Sequence, residues 1–101
     1  MKVIFTEQSL VRLEKALLFY LEELKLPRSK IAKLKNRLIA KANTLSTQPH
    51  KGQVEPYLLS FRKGHRRIIE GNFKIVYRIE DNAIYIIDFF DSRNDPGKMK
   101  G

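Results

Sequence analysis

The segment Arg62-Lys63-Gly64-His65-Arg66-Arg67 puts four fixed cations and one imidazole into six residues, just ahead of a strand-like pattern. Guanidinium and ammonium groups at that density suit the binding of anions, phosphates above all. A second concentration precedes it. From Lys25 to Val54 there are eight basic residues (Lys25, Arg28, Lys30, Lys33, Lys35, Arg37, Lys41, Lys51) and no carboxylate. The acids gather elsewhere, in Glu80-Asp81 and at Asp88, Asp91 and Asp95. Over the 101 residues, 20 Lys+Arg stand against 11 Asp+Glu, a formal charge of +9. That excess predicts attraction to polyanions: nucleic acid, the ribosome, or an acidic protein partner. A solvated helix face accounts for the Lys25–Lys51 run as readily as a nucleic-acid footprint does, so the sign is legible and the partner is not.

Other chemistries are excluded by what is missing. The sequence has no cysteine, which removes disulfides, thiolate metal sites and thiol nucleophiles. His50 and His65 are the only histidines, too few for a histidine-based metal site, and no cofactor is implied. Apolar runs such as Ile84-Tyr85-Ile86-Ile87 are far too short to cross a membrane. The start, MKVIFTEQ, lacks the apolar stretch and small-residue cleavage site of a signal peptide. A single soluble, cytoplasmic domain spanning 1–101 is the expectation.

The elements that must position the basic residues follow from periodicity. Val3-Ile4-Phe5 reads as a short strand. Thr6 can cap a helix, with Glu7 in its first turn. Leu10, Leu13, Leu17, Tyr20/Leu21 and Leu24 recur at helical spacing to about Lys25. Leu26-Pro27 interrupts it, since proline cannot continue the hydrogen-bond ladder. A second helix to Leu45 carries Ile31, Leu34, Leu38, Ala42 and Leu45 inward, so Lys33 and Arg37 look out. An irregular stretch follows to Lys63, with Tyr57, Leu58, Leu59 and Phe61 expected against the core. From Arg66 the period becomes two: Arg66–Glu70, Phe73–Ile79 and Ala83–Phe90, separated by Gly71-Asn72 and Asp81-Asn82, both hairpin turn signals. Phe73, Ile75, Tyr77 and Ile79 share one face and read as core. Tyr85 aligns with Ile87 and Phe89, leaving the last strand apolar on both faces. The pattern is β-α-α-β-β-β, an α+β fold with a helical hairpin on a small antiparallel sheet.

That order resembles the RelE/ParE superfamily, the toxins of bacterial type II toxin–antitoxin (plasmid stabilisation) modules. The resemblance rests on the starting strand, the Leu-rich hairpin and the loop Pro49-His50-Lys51-Gly52. It rests most on HRRIIEGNFKIVYRIEDNAIYIIDFFDSRNDPGKM, which carries Arg66/Arg67, Gly71, Phe73, Ile75-Val76-Tyr77-Arg78 and Arg93. The resemblance implies one of two actions. RelE-like members cleave messenger RNA on the ribosome, and ParE-like members poison DNA gyrase without nuclease chemistry. Both are neutralised by a cognate antitoxin that lays an extended or helical segment on the toxin.

Metal-free RNA cleavage must deprotonate the 2′-hydroxyl, stabilise a dianionic transition state and protonate the 5′-oxygen. On the matching positions Arg67 and Arg93 would clamp the scissile phosphate, Lys74 would stabilise developing charge, and His65 would serve as acid or base. Arg62, Lys63 and Arg66, with Lys33 and Arg37 on the second helix, would contact the nucleic acid. Structural alternatives stand beside these roles: Arg67 and Lys74 as solvated strand residues, His65 as a surface loop residue, and Arg93 paired with Asp88, Asp91 or Asp95. The tail Asn94–Met99 lacks the tyrosine or histidine that the nuclease pattern uses. Three functions are therefore expected to compete, with ribosome-dependent RNA cleavage slightly ahead. The others are gyrase inhibition and a non-toxic basic nucleic-acid-binding domain.

Overall fold

A computed structural model describes all 101 residues. Strand β1 (Lys2–Phe5) leads into helix α1 (Glu7–Glu22), and Thr6 caps it by accepting the Ser9 amide at 3.1 Å. The same hydroxyl donates to the Ile86 carbonyl at 2.6 Å, so the cap also fastens the helix to the sheet. α1 stops short of Lys25, which takes a left-handed φ of 56° while the Leu26 amide turns back to the Tyr20 carbonyl. Helix α2 (Arg28–Asn43) begins directly after Pro27. The inward stripe of α1 is Leu13, Leu17 and Tyr20; Leu10 and Leu24, expected within it, are exposed.

The remaining strands are β2 (Gln53–Val54), β3 (Arg66–Glu70), β4 (Phe73–Glu80) and β5 (Ala83–Asp91). They form one five-stranded sheet in the order β1-β5-β4-β3-β2. The sheet is mixed rather than purely antiparallel, because β1 pairs parallel with β5. Two intervening helices supply the crossover that a parallel pair requires. The hairpin turns fall where expected, and Asp81 and Asn82 both adopt positive φ, the geometry that matches the twist of the flanking strands.

Two apolar clusters lie on opposite faces of the sheet. On the helical face Leu13, Leu17, Leu38, Ala42 and Leu45 pack on Ile68, Phe73, Ile75, Tyr77, Ile84, Ile86 and Phe89. On the other face, called here the open face, Leu58, Val76, Ile87, Phe90 and Met99 form a smaller cluster. Phe89 thus leaves the side that Tyr85 and Ile87 occupy, against the simple alternation. The cause is a bulge: Val76 pairs with Asp88 and Tyr77 with Ile86, leaving Ile87 as the extra residue that switches the parity of β5.

Residues Pro56–Phe61 form a 3-10 helix rather than an irregular stretch. Only Leu58 of that segment is buried, while Tyr57, Leu59 and Phe61 are exposed, contrary to expectation. A three-residue repeat cannot turn the adjacent Tyr57, Leu58 and Leu59 inward together. The polar tail folds back over the open face. Met99 enters its cluster, the Lys100 amide donates to Asp88 at 2.9 Å, and the Arg12 guanidinium donates to both Asp88 and the Lys98 carbonyl. No helix is long and apolar enough to cross a membrane.

Candidate functional site

The open face brings two of the predicted residues together on a carboxylate that sequence reasoning missed. Glu55 is fully buried, and its Oε1 lies 3.0 Å from the Lys74 ammonium and 3.7 Å from Arg67 Nε. Its Oε2 accepts the Tyr57 amide at 3.0 Å, and the Tyr57 ring stands 5.3 Å from the Lys74 ammonium. Arg67 also donates to the Val54 carbonyl at 2.6 Å. The local sequence explains the placement. Glu55-Pro56 is a helix start, with the acid in the capping position and proline at the first helical residue. Glu55 is also the first carboxylate after the acid-free run, the one signal that pointed to it.

Arg93 does not join this cluster. It is bound by Asp91 at 2.8 Å and by the Tyr20 hydroxyl, with its guanidinium 5.3 Å from the Tyr20 ring centroid. Tyr20 in turn donates to Asp91 at 2.5 Å. Of the expected carboxylate partners it is Asp91 that takes Arg93, and Asp88 is given to Arg12. Burial, then the bond to Asp91, pushes the Tyr20 phenol up to about 12. Burial works to raise the Asp91 carboxyl, but the hydrogen bonds from Arg93 and Tyr20 outweigh it and hold the group below the ordinary carboxylate range. Its bond to Asp91 raises the Arg93 guanidinium further above its usual value.

His65 is not at the surface. It is 2% exposed, packs edge-on to Phe61 at 5.7 Å, and neither ring nitrogen has a hydrogen-bond partner. Its neighbours in the basic segment reach solvent because Gly64 and Arg62 take positive φ and turn the chain, which leaves the imidazole inside. Burial, reinforced by the charges of Arg78 and Lys63, lowers its pKa below the usual value. The unfolded chain takes up the proton first as pH falls, so stability from this group is complete above about pH 6.5 and is lost below it. Thermal unfolding at about pH 7.5 and about pH 5 is expected to show a drop that His65→Leu reduces. An unchanged drop in the variant would place its source elsewhere.

The nucleic-acid candidates divide between regions. Arg62, Lys63, Lys33 and Arg37 are exposed, although Arg37 lies 3.5 Å from Glu70. Arg66 is partly buried and donates to the Gly52 carbonyl at 2.7 Å. Tyr77 lies in the core as expected, and its phenol accepts the Gly52 amide at 3.0 Å and donates to the Pro49 carbonyl at 2.8 Å. No three His, Asp or Glu side chains gather to hold a metal ion.

A helical hairpin over a mixed sheet is also the fold of solved toxin–antitoxin proteins. The fold matches a chain of a chromosomal ParDE toxin–antitoxin system from P. aeruginosa with a TM-score of 0.73 at 18% identity, covering 90% of this chain and 95% of that one. It matches a chain of the RelBE2 toxin–antitoxin complex from Mycobacterium tuberculosis with a TM-score of 0.55 at 22% identity, covering 89% and 95%. No curated protein matches the sequence. The family model described as ParE toxin of type II toxin-antitoxin system, parDE, matches residues 3–96, and the chain belongs to that family. It is a toxin of the ParE/RelE superfamily.

Proposed function

We propose that this toxin arrests growth by binding its target rather than by cutting RNA, with DNA gyrase as that target. One observation carries the reading. Each of the four residues expected to carry the cleavage chemistry is engaged within the fold or shut away: Arg67 and Lys74 by Glu55, Arg93 by Asp91 and Tyr20, and His65 by burial. A general acid or base must come within hydrogen-bond reach of the reacting proton, and neither Glu55 nor His65 meets solvent. The tail supplies no tyrosine or histidine in their place. This reverses the slight preference for RNA cleavage that the charge pattern suggests.

The partner is a cognate antitoxin, as in the complexes that the fold resembles. A groove of about 260 Å³ between α1 and α2, lined by Leu17, Leu18, Leu21 and Ile31 with Arg28 at one end and a Lys35–Glu14 pair at 2.7 Å, suits an apolar segment with an acid to meet Arg28. Two assays on the purified protein test the reading. Gyrase supercoiling is expected to be inhibited, while primer extension on a message in a translating bacterial extract is expected to show no new ends. Cuts within translated codons that vanish in an Arg67→Ala/Arg93→Ala variant would overturn it in favour of the nuclease.

A further inference from the structure

A cleft of about 310 Å³ opens between the end of α2 and the β2–β3 edge, lined by Lys41, Lys51, Gly52, Gln53 and Ile68 and by Arg67, whose guanidinium is turned to Glu55 and the Val54 carbonyl. No carboxylate lines it. It continues a row on α2, where Lys30, Lys33, Arg37 and Lys41 follow one another at spacings of three and four and so share one side of the helix. α2 contains no acid and no aromatic residue. From Lys30 to Lys41 the helix rises about 16 Å, roughly five phosphate-to-phosphate steps along one strand of a duplex.

The loop that carries Lys51 into the cleft is fixed in place. Tyr77 holds the Pro49–Gly52 loop from beneath, and Arg66 holds the Gly52 carbonyl from the side. A side chain at Gly52 has no room, since a Cβ there would stand 2.5 Å from the Tyr77 oxygen and 2.9 Å from the Arg67 carbonyl. The Lys51 ammonium bonds the Thr44 hydroxyl just past α2. A cation held in this way loses less freedom on meeting an anion than a mobile one does.

We propose that this cleft and the α2 row form a track for the phosphodiester backbone of duplex DNA. The linear spacing and the charge select a polyphosphate. The absence of any aromatic platform beside the cleft disfavours single strands, whose recognition uses stacking of unpaired bases. The track is independent of the gyrase reading, because it concerns the toxin and DNA alone.

The test is fluorescence anisotropy of a labelled mixed-sequence duplex of about 20 base pairs with the full-length toxin, between about 50 and 200 mM salt. Lys41→Gln/Lys51→Gln is compared with Lys2→Gln/Lys98→Gln, which removes the same charge from exposed sites away from the cleft. For the cleft pair the slope of log K against log[salt] is expected to shrink by about 1.8, a loss of roughly 60-fold at 0.1 M salt, and the control pair should stay near wild type. Circular dichroism checks that both variants are folded. Equal losses in the two pairs, no duplex binding at low salt, or tighter binding of an unstructured single-stranded RNA of equal length would each overturn the assignment. Supercoiling inhibition is read separately, so either result can fail without the other.

Discussion

Glu55→Ala is expected to lower the unfolding free energy by about 3 kcal/mol, the low end of what breaking a buried ion pair costs. The low end applies because Lys74 and Arg67 keep 17% and 20% side-chain exposure and can swing toward water once the carboxylate is gone. The Tyr57 amide loses its acceptor as well, which loosens the start of the 3-10 helix that carries Leu58 into the open-face cluster. For a domain of about 100 residues this is a drop in Tm of at least roughly 12 °C. Differential scanning calorimetry reads it directly. Glu55→Gln separates structure from chemistry, since it keeps the shape and removes the charge. A Glu55→Gln protein with wild-type Tm and no toxicity would mean that the carboxylate acts on a substrate.

Asp88→Ala is expected to cost about 2–3 kcal/mol, comparable to losing a charge-assisted hydrogen bond in a buried setting. The difference from Glu55 is where the damage falls. Asp88 accepts Arg12 of α1 on both oxygens and the Lys100 amide on its Oδ2. Its loss lets the tail lift and uncovers Val76, Ile87 and Phe90. Amide exchange at Met99 and Lys100 should accelerate by roughly a hundredfold, since each ~1.4 kcal/mol of opening free energy is a factor of ten. β4, paired on both sides, should change by no more than the global loss. Unchanged exchange at Lys100 in a destabilised variant would show that Met99 packing, not Asp88, secures the tail.

What could be read from the residues, and what could not, follows one physical line. The Thr6 cap, the break at Pro27 and the Asp81-Asn82 turn depend on a few adjacent residues, and each stands where expected. The switch of Phe89 to the helical face depends on one extra residue in β5, which no alternation rule can locate beforehand. Glu55 looks like any loop acid until β3 and β4 bring Arg67 and Lys74 over it. His65 illustrates the converse. Its basic neighbours predict a surface position, and two residues with positive φ return its ring to the interior. Arg93 was legible only as one cation among several acids, and the decisive contact comes from Tyr20, a residue whose spacing marked it as part of an apolar stripe. Fold is written in local pattern here, whereas the state of each chemical group is set by contacts across the chain.

The parallel pairing of β1 with Ala83–Ile86 has a bearing on how the protein is made. Both helices leave the ribosome before the strands that form the floor of their core. The 40 residues from Asn43 to Ala83 take roughly 2–8 s to synthesise at about 5–20 residues per second. Throughout that interval Leu13, Leu17 and Leu38 have no Ile84, Ile86 or Phe89 to pack on. The sheet therefore closes late, when β5 emerges and pairs with the waiting first strand.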